Sequence, residues 1–287
     1  MRRLVVLAAA LFGMALQAQA ADMPDLPVLR GSVTPPVGPI TRNWDGWYAG
    51  GQVGSAWTNT DYSNTVVSMT NEMFRSTTLQ QPVSQFTLLG RVNGRSPGFG
   101  GFVGRNWQFD DIVMSAEANY TYFSSLSTFT TASLGPIQIA EPGLVLPPGA
   151  TAADGVTLRG SAALRVKDTT TFRGRLGWAT GDFLPYVFGG IAVGRMDVTR
   201  TVSSSVNRTI HFADGTSITV PLPQVSLTTT DARTDNFVPG WTAGLGMEYG
   251  LWGGLFLRGE WEYTKFLKVK DTTVTQNTVR AGIGYKF

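Results

Sequence analysis

Four glutamates and four arginines carry the charge spacing in this chain that suggests chemistry: Glu117, Glu248, Glu260 and Glu262 against Arg173, Arg175, Arg258 and Arg280. Each stands in a stretch where apolar and polar residues alternate, which puts all eight on the polar faces of β-strands. Carboxylates gathered on one face can serve as a general acid and base, or line a path for ions. They can also neutralise the arginines inside a closed space. If the strands close into a barrel of eight, the interior is wide enough only for its own side chains. An enclosed charge without a partner is expensive, so four acids matched by four bases point to a salt-bridged plug.

Other chemistries have little to work with. The single histidine, His211, falls in a Ser/Thr-rich stretch read as an exposed loop, and a Ser-His-acid set needs its base beside a nucleophile. One histidine and no cysteine leave neither a thiolate nucleophile nor the usual zinc ligands. The Gly98-x-Gly100-x-x-x-Gly104 and Gly244-x-Gly246 spacings lie inside strand patterns and open no helix, so they are not phosphate cradles. Glycine there eases curvature and close packing. No catalytic, metal or cofactor residue is assigned, and the chain is not expected to be an enzyme.

The elements that must position the eight charges are short alternating segments. In Asn277–Phe287, residues Val279, Ala281, Ile283, Tyr285 and Phe287 share one face, and Arg280, Gly282, Gly284 and Lys286 the other. An apolar face toward lipid and a polar face toward a lumen is the signature of a transmembrane barrel strand. Gly46–Trp57 repeats the pattern, with Trp47 and Trp57 on one face. Ten residues at about 3.3 Å each and a tilt near 40° separate these rings by roughly 25 Å along the bilayer normal, the height of an apolar band between aromatic girdles. Phe99 to Phe109 and Ile112 to Tyr122 keep the same spacing.

Asp110-Asp111 joins Gly98–Phe109 to Ile112–Phe123 as a hairpin. Thr180-Gly181-Asp182 joins Asp168–Ala179 to Phe183–Arg195, and residues 250–254 join Gly240–Tyr249 to Leu255–Phe266. Lipid-facing aromatics then include Trp47, Trp57, Phe109, Tyr122, Trp178, Trp241, Tyr249, Trp261 and Tyr263, expected as interfacial girdles. Within Phe183–Arg195, the stretch Tyr186–Gly194 is apolar on both faces, and Val187, Ile191 and Val193 are taken as outward. Arg105 breaks the pattern by falling on the lipid face, through snorkelling or through a bulge. The count is eight strands, all-β, antiparallel, up and down. Connections alternate between short turns and long segments, 58–97, 124–167 and 197–236, with a shorter fourth at 267–276; in the third, Arg208-Thr-Ile-His-Phe and Thr216-Ser-Ile-Thr-Val, split by Asp214-Gly215, suggest a strand hairpin that continues above the membrane. Short periplasmic turns and long extracellular loops show that asymmetry.

Composition agrees. Charged residues are 15% of the chain, below the quarter typical of soluble domains. Met1-Arg2-Arg3, the apolar run Leu4–Leu16 and Ala18-Gln19-Ala20 read as a secretory signal peptide over 1–20, cleaved between Ala20 and Ala21. About 13 apolar residues are too few to span a bilayer as a helix. Losing Arg2 and Arg3 lowers the net charge from +3 to +1, so the basic balance does not point to nucleic acid. Residues 21–45 hold five prolines and read as a periplasmic tether, with the barrel over 46–287.

With its strands placed, the chain resembles the small porin-like outer-membrane proteins of alphaproteobacteria, known as outer-membrane immunogenic proteins. The resemblance lies in Trp47-Tyr-Ala-Gly-Gly-Gln-Val-Gly54, Gly104-Arg-Asn-Trp-Gln108, Arg173-Gly-Arg-Leu-Gly177, Gly240-Trp-Thr-Ala-Gly-Leu-Gly-Met-Glu248, Glu260-Trp-Glu-Tyr263 and Val279-Arg-Ala-Gly-Ile-Gly-Tyr-Lys-Phe287. Arg105 stands where that group leads one to expect tyrosine. The resemblance implies an eight-stranded barrel in the outer membrane of a Gram-negative bacterium, a role in envelope integrity, and surface-exposed, antigenic loops. It implies that Ile283, Tyr285 and Phe287 form the signal read by the barrel assembly machinery, and that lipid and lipopolysaccharide surround the wall. Some members are joined to peptidoglycan through an Ala-Asp start, which Ala21-Asp22 matches. The alternative is a narrow porin or a surface receptor, for example for haem.

Overall fold

The computed structural model describes residues 42–287 apart from Pro142. The expected cleavage site Ala20/Ala21, the candidate attachment residues Ala21 and Asp22, and the tether as far as residue 41 lie outside the described residues.

Among the described residues, nine strands form one antiparallel sheet: β1 Gly46–Asp61, β2 Arg91–Phe109, β3 Ile112–Ala140, β4 Thr151–Trp178, β5 Phe183–His211, β6 Ser217–Pro221, β7 Thr228–Gly250, β8 Leu255–Phe266 and β9 Thr273–Lys286. β1 pairs with β9 from Tyr48↔Lys286 to Asp61↔Thr273, so the first strand meets the last and the ring closes. Eight strands make the wall, as expected for a single-chain barrel. The ninth, β6, pairs only with the outer end of β5, where Asn207↔Pro221 takes over from the β5–β7 ladder ending at Ser203↔Thr228. Closure leaves no long free edge in the wall, a liability for any open sheet.

The alternation decides which way each side chain points. On the outside, Trp47, Phe109, Trp178 and Tyr249 stand near the short turns, and all are exposed. Ten residues along β1, Trp57 marks the other rim, with Tyr122, Trp241 and Tyr263 at that end of their strands. Trp241 and Tyr263 stack with ring centroids 5.4 Å apart, as do Phe99 and Tyr122. Trp261 also faces out, but its cross-strand neighbours are Leu245 and Val279, so it lies inside the apolar band. Between the rims the outer wall presents Val53, Val103, Met114, Phe172, Leu176, Val187, Ile191 and Leu245.

Two of the expected long loops are corrected, and in the third, 197–236, the hairpin suggested around Asp214-Gly215 is present as β5–β6 while the flanking strands run farther than expected. The 124–167 and 197–236 stretches are largely strand, because β3, β4, β5 and β7 run on past the outer rim. Their faces carry the opposite polarity. In the membrane the inside of β4 is Thr171, Arg173 and Arg175; beyond it the inside is Val166, Leu164, Ala162, Leu158 and Val156, all buried, while Arg159 and Arg165 turn to solvent. Register shifts at Tyr122/Leu126, Val166/Asp168 and Met196/Val198 fall at the same level and mark the change. A β-bulge adds one residue to one strand, which moves later side chains to the other face. The solvent that each face meets explains the inversion. Lipid makes the outer face apolar below this level, and water makes it polar above.

The first long segment folds inward. After β1, residues 62–90 carry two short helices, α1 Val67–Met73 and α2 Gln80–Ser84. Tyr62, Val66, Phe74, Leu79, Val83 and Leu89 are buried against Phe123, Leu158, Leu164, Met196 and Val198 of the extended wall. An apolar segment thus fills the outer barrel and is excluded from water by it. At the opposite mouth, Arg42–Asp45, expected as the end of the tether, is docked. The Trp44 amide donates to Gln108 Oε1 at 2.6 Å, Asn106 Nδ2 donates to the Trp44 carbonyl at 3.0 Å, and the indole is buried against Phe256. Arg42 donates to the Leu251 and Leu255 carbonyls at the rim, at 2.8 and 3.1 Å.

Candidate functional site

Between the outer apolar plug and the Trp44 mouth lies the charged layer. β3 contributes Glu117, β4 contributes Arg173 and Arg175, β7 contributes Glu248, β8 contributes Arg258, Glu260 and Glu262, and β9 contributes Arg280. Every one is inward by strand parity, and their side chains are between 0% and 5% exposed. The structure brings all eight together.

Glu117 is the hub. Arg173 Nε lies 2.9 Å from its Oε1, while Arg175 Nη1 and Arg258 Nη1 each lie 2.9 Å from its Oε2. Arg175 Nη2 and Arg258 Nη2 both reach Glu248 Oε1 at 2.6 Å. Arg173 Nη2 continues to Glu260 Oε1 at 2.7 Å, and Arg280 Nη2 sits 3.2 Å from Glu260 Oε2 and also pairs with Glu262. Each carboxylate is thus held by two or three guanidinium groups. Planar guanidinium forks suit such multiple charge-assisted bonds better than a lysine could.

Two tyrosines complete the layer. Tyr48 Oη donates to Glu117 Oε2 at 2.8 Å, and Tyr186 Oη donates to Glu260 Oε1 at 2.6 Å. Aromatic rings cover three of the four guanidinium groups: Arg258 lies 3.7 Å from the Phe102 centroid, Arg175 3.8 Å from that of Tyr186, and Arg173 4.2 Å from that of Phe188. Such stacking gains most where water is excluded. Toward the outer end, the hydrogen-bonded set Gln52, Asn119 and Thr121 extends the polar layer up to Phe123, where the apolar plug begins.

Tyr48 and Tyr186 carry no formal charge, so residue type alone does not mark them as members of the layer. A signal was present in their parity, since both alternate with outward residues, Tyr48 with Trp47 and Ala49, and Tyr186 with Val187. β5 is apolar on both faces because its inner face supplies the rings on which the arginines lie. Its outward residues include Val187 and Ile191, while Val193 is half-buried. Of the expected C-terminal signal, Ile283, Tyr285 and Phe287 all face out, with Tyr285 and Phe287 stacked edge to face at 5.4 Å. His211 is the exposed last residue of β5, opposite Ser217, far along the strand from the charged layer.

Chemically, this arrangement binds the walls to one another. Charges of one sign are answered at hydrogen-bond distance by charges of the other, and aromatic groups fill what is left. It has the form of a buried lattice spanning the lumen.

Comparison with known proteins agrees with the geometry. A family model described as the outer membrane protein beta-barrel domain matches residues 6–287. The 31 kDa outer-membrane immunogenic protein of Brucella melitensis biotype 1 is 26% identical over 204 residues, 66% of this chain and 67% of that protein. The protein of the same name from Brucella suis biovar 1 matches to the same extent. These relatives bear the name of the group that the strand motifs resemble. Among solved structures, the Yersinia pestis attachment invasion locus protein Ail, in complex with the heparin analogue sucrose octasulfate, shares 12% identity at a TM-score of 0.30, covering 84% of this chain and 99% of that one. A closed wall with an apolar belt and a matched family model over nearly its whole length make this chain a member of the outer-membrane β-barrel protein family.

Proposed function

We propose that the protein is a structural barrel of the outer membrane, sealed along its axis, that supports the cell envelope and catalyses no reaction. The observation that carries this reading is the charged layer. Four glutamates and four arginines, with side chains at most 5% exposed, tie together five of the eight wall strands. Trp44 at one end and the 62–90 segment at the other add two further apolar barriers in series. A sealed lumen favours a load-bearing element over a narrow porin. The Ala21-Asp22 start, followed by a proline-rich stretch, supports attachment to peptidoglycan, and the exposed aromatic end at Phe287 supports recognition by the assembly machinery.

Planar-bilayer recording tests the seal: purified barrel should insert without stepwise conductance, and resolved steps in the wild type would overturn it. Muramidase digestion tests the anchor, since linked protein should be released carrying a muropeptide. The receptor reading draws on the outer end, where a cleft of about 460 Å³ is lined by Met69, Met73 and Leu227 together with Glu72, Arg200 and Asp231. Pull-down of intact cells on immobilised haem separates that reading from the structural one.

A further inference from the structure

The sequence left Arg105 between two explanations, a bulge or a cation turned to lipid. The β1–β2 ladder runs unbroken from Gly46↔Asn106 to Asp61↔Arg91, and β2–β3 from Gly98↔Phe123 to Phe109↔Ile112. No bulge is present, and Arg105 faces the bilayer in line with Val103 and Trp107. Its guanidinium carbon lies 5.7 Å from the ring centroids of both Trp47, its cross-strand partner, and Trp107. Among the described residues, none of the ion pairs includes Arg105. The residue stands near the tight Asp110-Asp111 turn, at the rim marked by Trp47 and Phe109. A cation on the lipid wall is costly at the midplane and cheap near the interface, where headgroup oxygens reach it.

The same side chain lines a groove of about 430 Å³ in the outer wall, walled by Trp47, Val103, Trp107 and Phe172 and floored by Ala116 and Ala118. Ala116 sits directly across from Arg105, and Gly174 follows on β4, so the bulky rows on either side leave a recess beside the guanidinium. The other rim offers a contrast. Arg95 lies 4.9 Å from the ring of Trp57, but its Nε donates to Ser55 Oγ at 3.1 Å, a partner from its own wall. Arg105 has the stacking and the recess and, among the described residues, no such partner.

We propose that Arg105 is the headgroup site for an anionic glycerophospholipid of the periplasmic leaflet, with an acyl chain seated in the recess over Ala116 and Ala118. The guanidinium binds the phosphodiester as a fork, and the two indoles hold it at that height. An anionic headgroup is selected because a zwitterionic one brings its own ammonium to compete for the phosphate. The proposal goes beyond the structural role and does not depend on the lumen being sealed.

The test is lipid retention. The full chain is reconstituted in vesicles of equal phosphatidylglycerol and phosphatidylcholine, released gently, and weighed with its bound lipids by native mass spectrometry. The wild type should retain phosphatidylglycerol in preference. Arg105→Gln should lower the ratio of the two lipids about fivefold, the effect of one basic residue at an anionic surface, while Arg95→Gln leaves it unchanged. Ala116→Trp, which fills the recess with Arg105 intact, should also reduce retained phosphatidylglycerol. An unchanged ratio in Arg105→Gln, or an equal fall in Arg95→Gln, overturns the site. If Arg105→Gln lacks the faster-migrating folded band on an unheated gel, Ala116→Trp decides alone, and undiminished retention overturns the proposal.

Discussion

Arg173 on β4 and Glu260 on β8 are joined directly across the lumen, Nη2 to Oε1 at 2.7 Å, although β5 and β7 stand between their strands in the wall. This is a chord of the ring, a contact that no backbone ladder provides. Removing the carboxylate leaves Arg173 with Glu117 and Arg280 with Glu262, each short of one anion in a space closed to water. Glu260→Ala should therefore lower barrel stability by roughly 3–5 kcal/mol, the usual penalty for breaking one side of a buried ion-pair network. Urea unfolding in detergent micelles measures it. A midpoint equal to the wild type would mean that water enters the layer and that the lumen is not sealed.

The outer plug makes a separate prediction. Phe74 is fully buried within the apolar cluster that joins residues 62–89 to the extended wall. Phe74→Ala leaves a cavity the size of a ring and should weaken local packing by about 3–5 kcal/mol. The membrane-embedded wall is untouched, so the folded, fast-migrating band should persist. Limited proteolysis of protein in vesicles should instead show new cleavage within 62–90, because local opening follows local stability.

Acid should release the same plug. Lys270 and Arg200 hold the Asp231 carboxylate below its ordinary range, with Nζ and Nη2 at 2.8 and 2.9 Å, and Arg200 Nη1 donates at 2.6 Å to the Thr65 carbonyl at the start of the plug. At the β1 exit, hydrogen bonds from Ser63 and then the Arg91 guanidinium pull Asp61 down to about 2. Both folded values lie below the unfolded value of about 3.9. The stabilisation is accordingly complete above that pH and fades as pH falls through the folded values. Hydrogen exchange in 62–90 should show constant protection from pH 8 to about 5 and a loss below about 4 relative to Asp231→Asn, in which the Asp231 contribution is absent at every pH. Equal protection ratios across that range would rule out Asp231 as the latch.

How far the sequence reveals this molecule depends on which solvent each face meets. Residues such as Trp47, Leu176 and Ile283 alternate with Tyr48, Arg175 and Gly282, and that rhythm locates the membrane wall and all eight lumen charges. Beyond the rim the rhythm persists, in Val156, Leu158, Ala162 and Leu164, but water now lies outside and apolar side chains inside. A search tuned to lipid-facing aromatics passes over it, because Ser161, Arg159 and Arg165 take the outward places. The bulge near Ser124-Ser125 reverses parity as well, so the two halves of β3 do not read as one strand. Residues 62–90 were opaque for another reason. Met69, Phe74 and Leu89 show no period of 2, and only the hollow they fill explains them.

Glycine at the inner wall gives the sharpest contrast between neighbouring positions. A Cβ on Gly190 would stand 2.0 Å from the Phe172 carbonyl oxygen and 2.7 Å from Arg173 Cα, both main-chain atoms of the adjoining strand. A ring of only eight strands coils so strongly that inward positions are overrun by the next backbone. Gly174 also lies in a membrane strand but faces lipid, with nothing within 4 Å of its Cβ position. Gly190→Val should thus prevent closure or destabilise the barrel by about 3 kcal/mol or more, in the upper range for overpacking. Gly174→Val should fold as the wild type does, since a branched side chain there meets only acyl chains and suits a strand. The fraction of fast-migrating band after refolding into vesicles compares the two. Equal folding of both variants would show that the wall can widen at Gly190, which a lumen cross-braced by Arg173 and Glu260 does not allow.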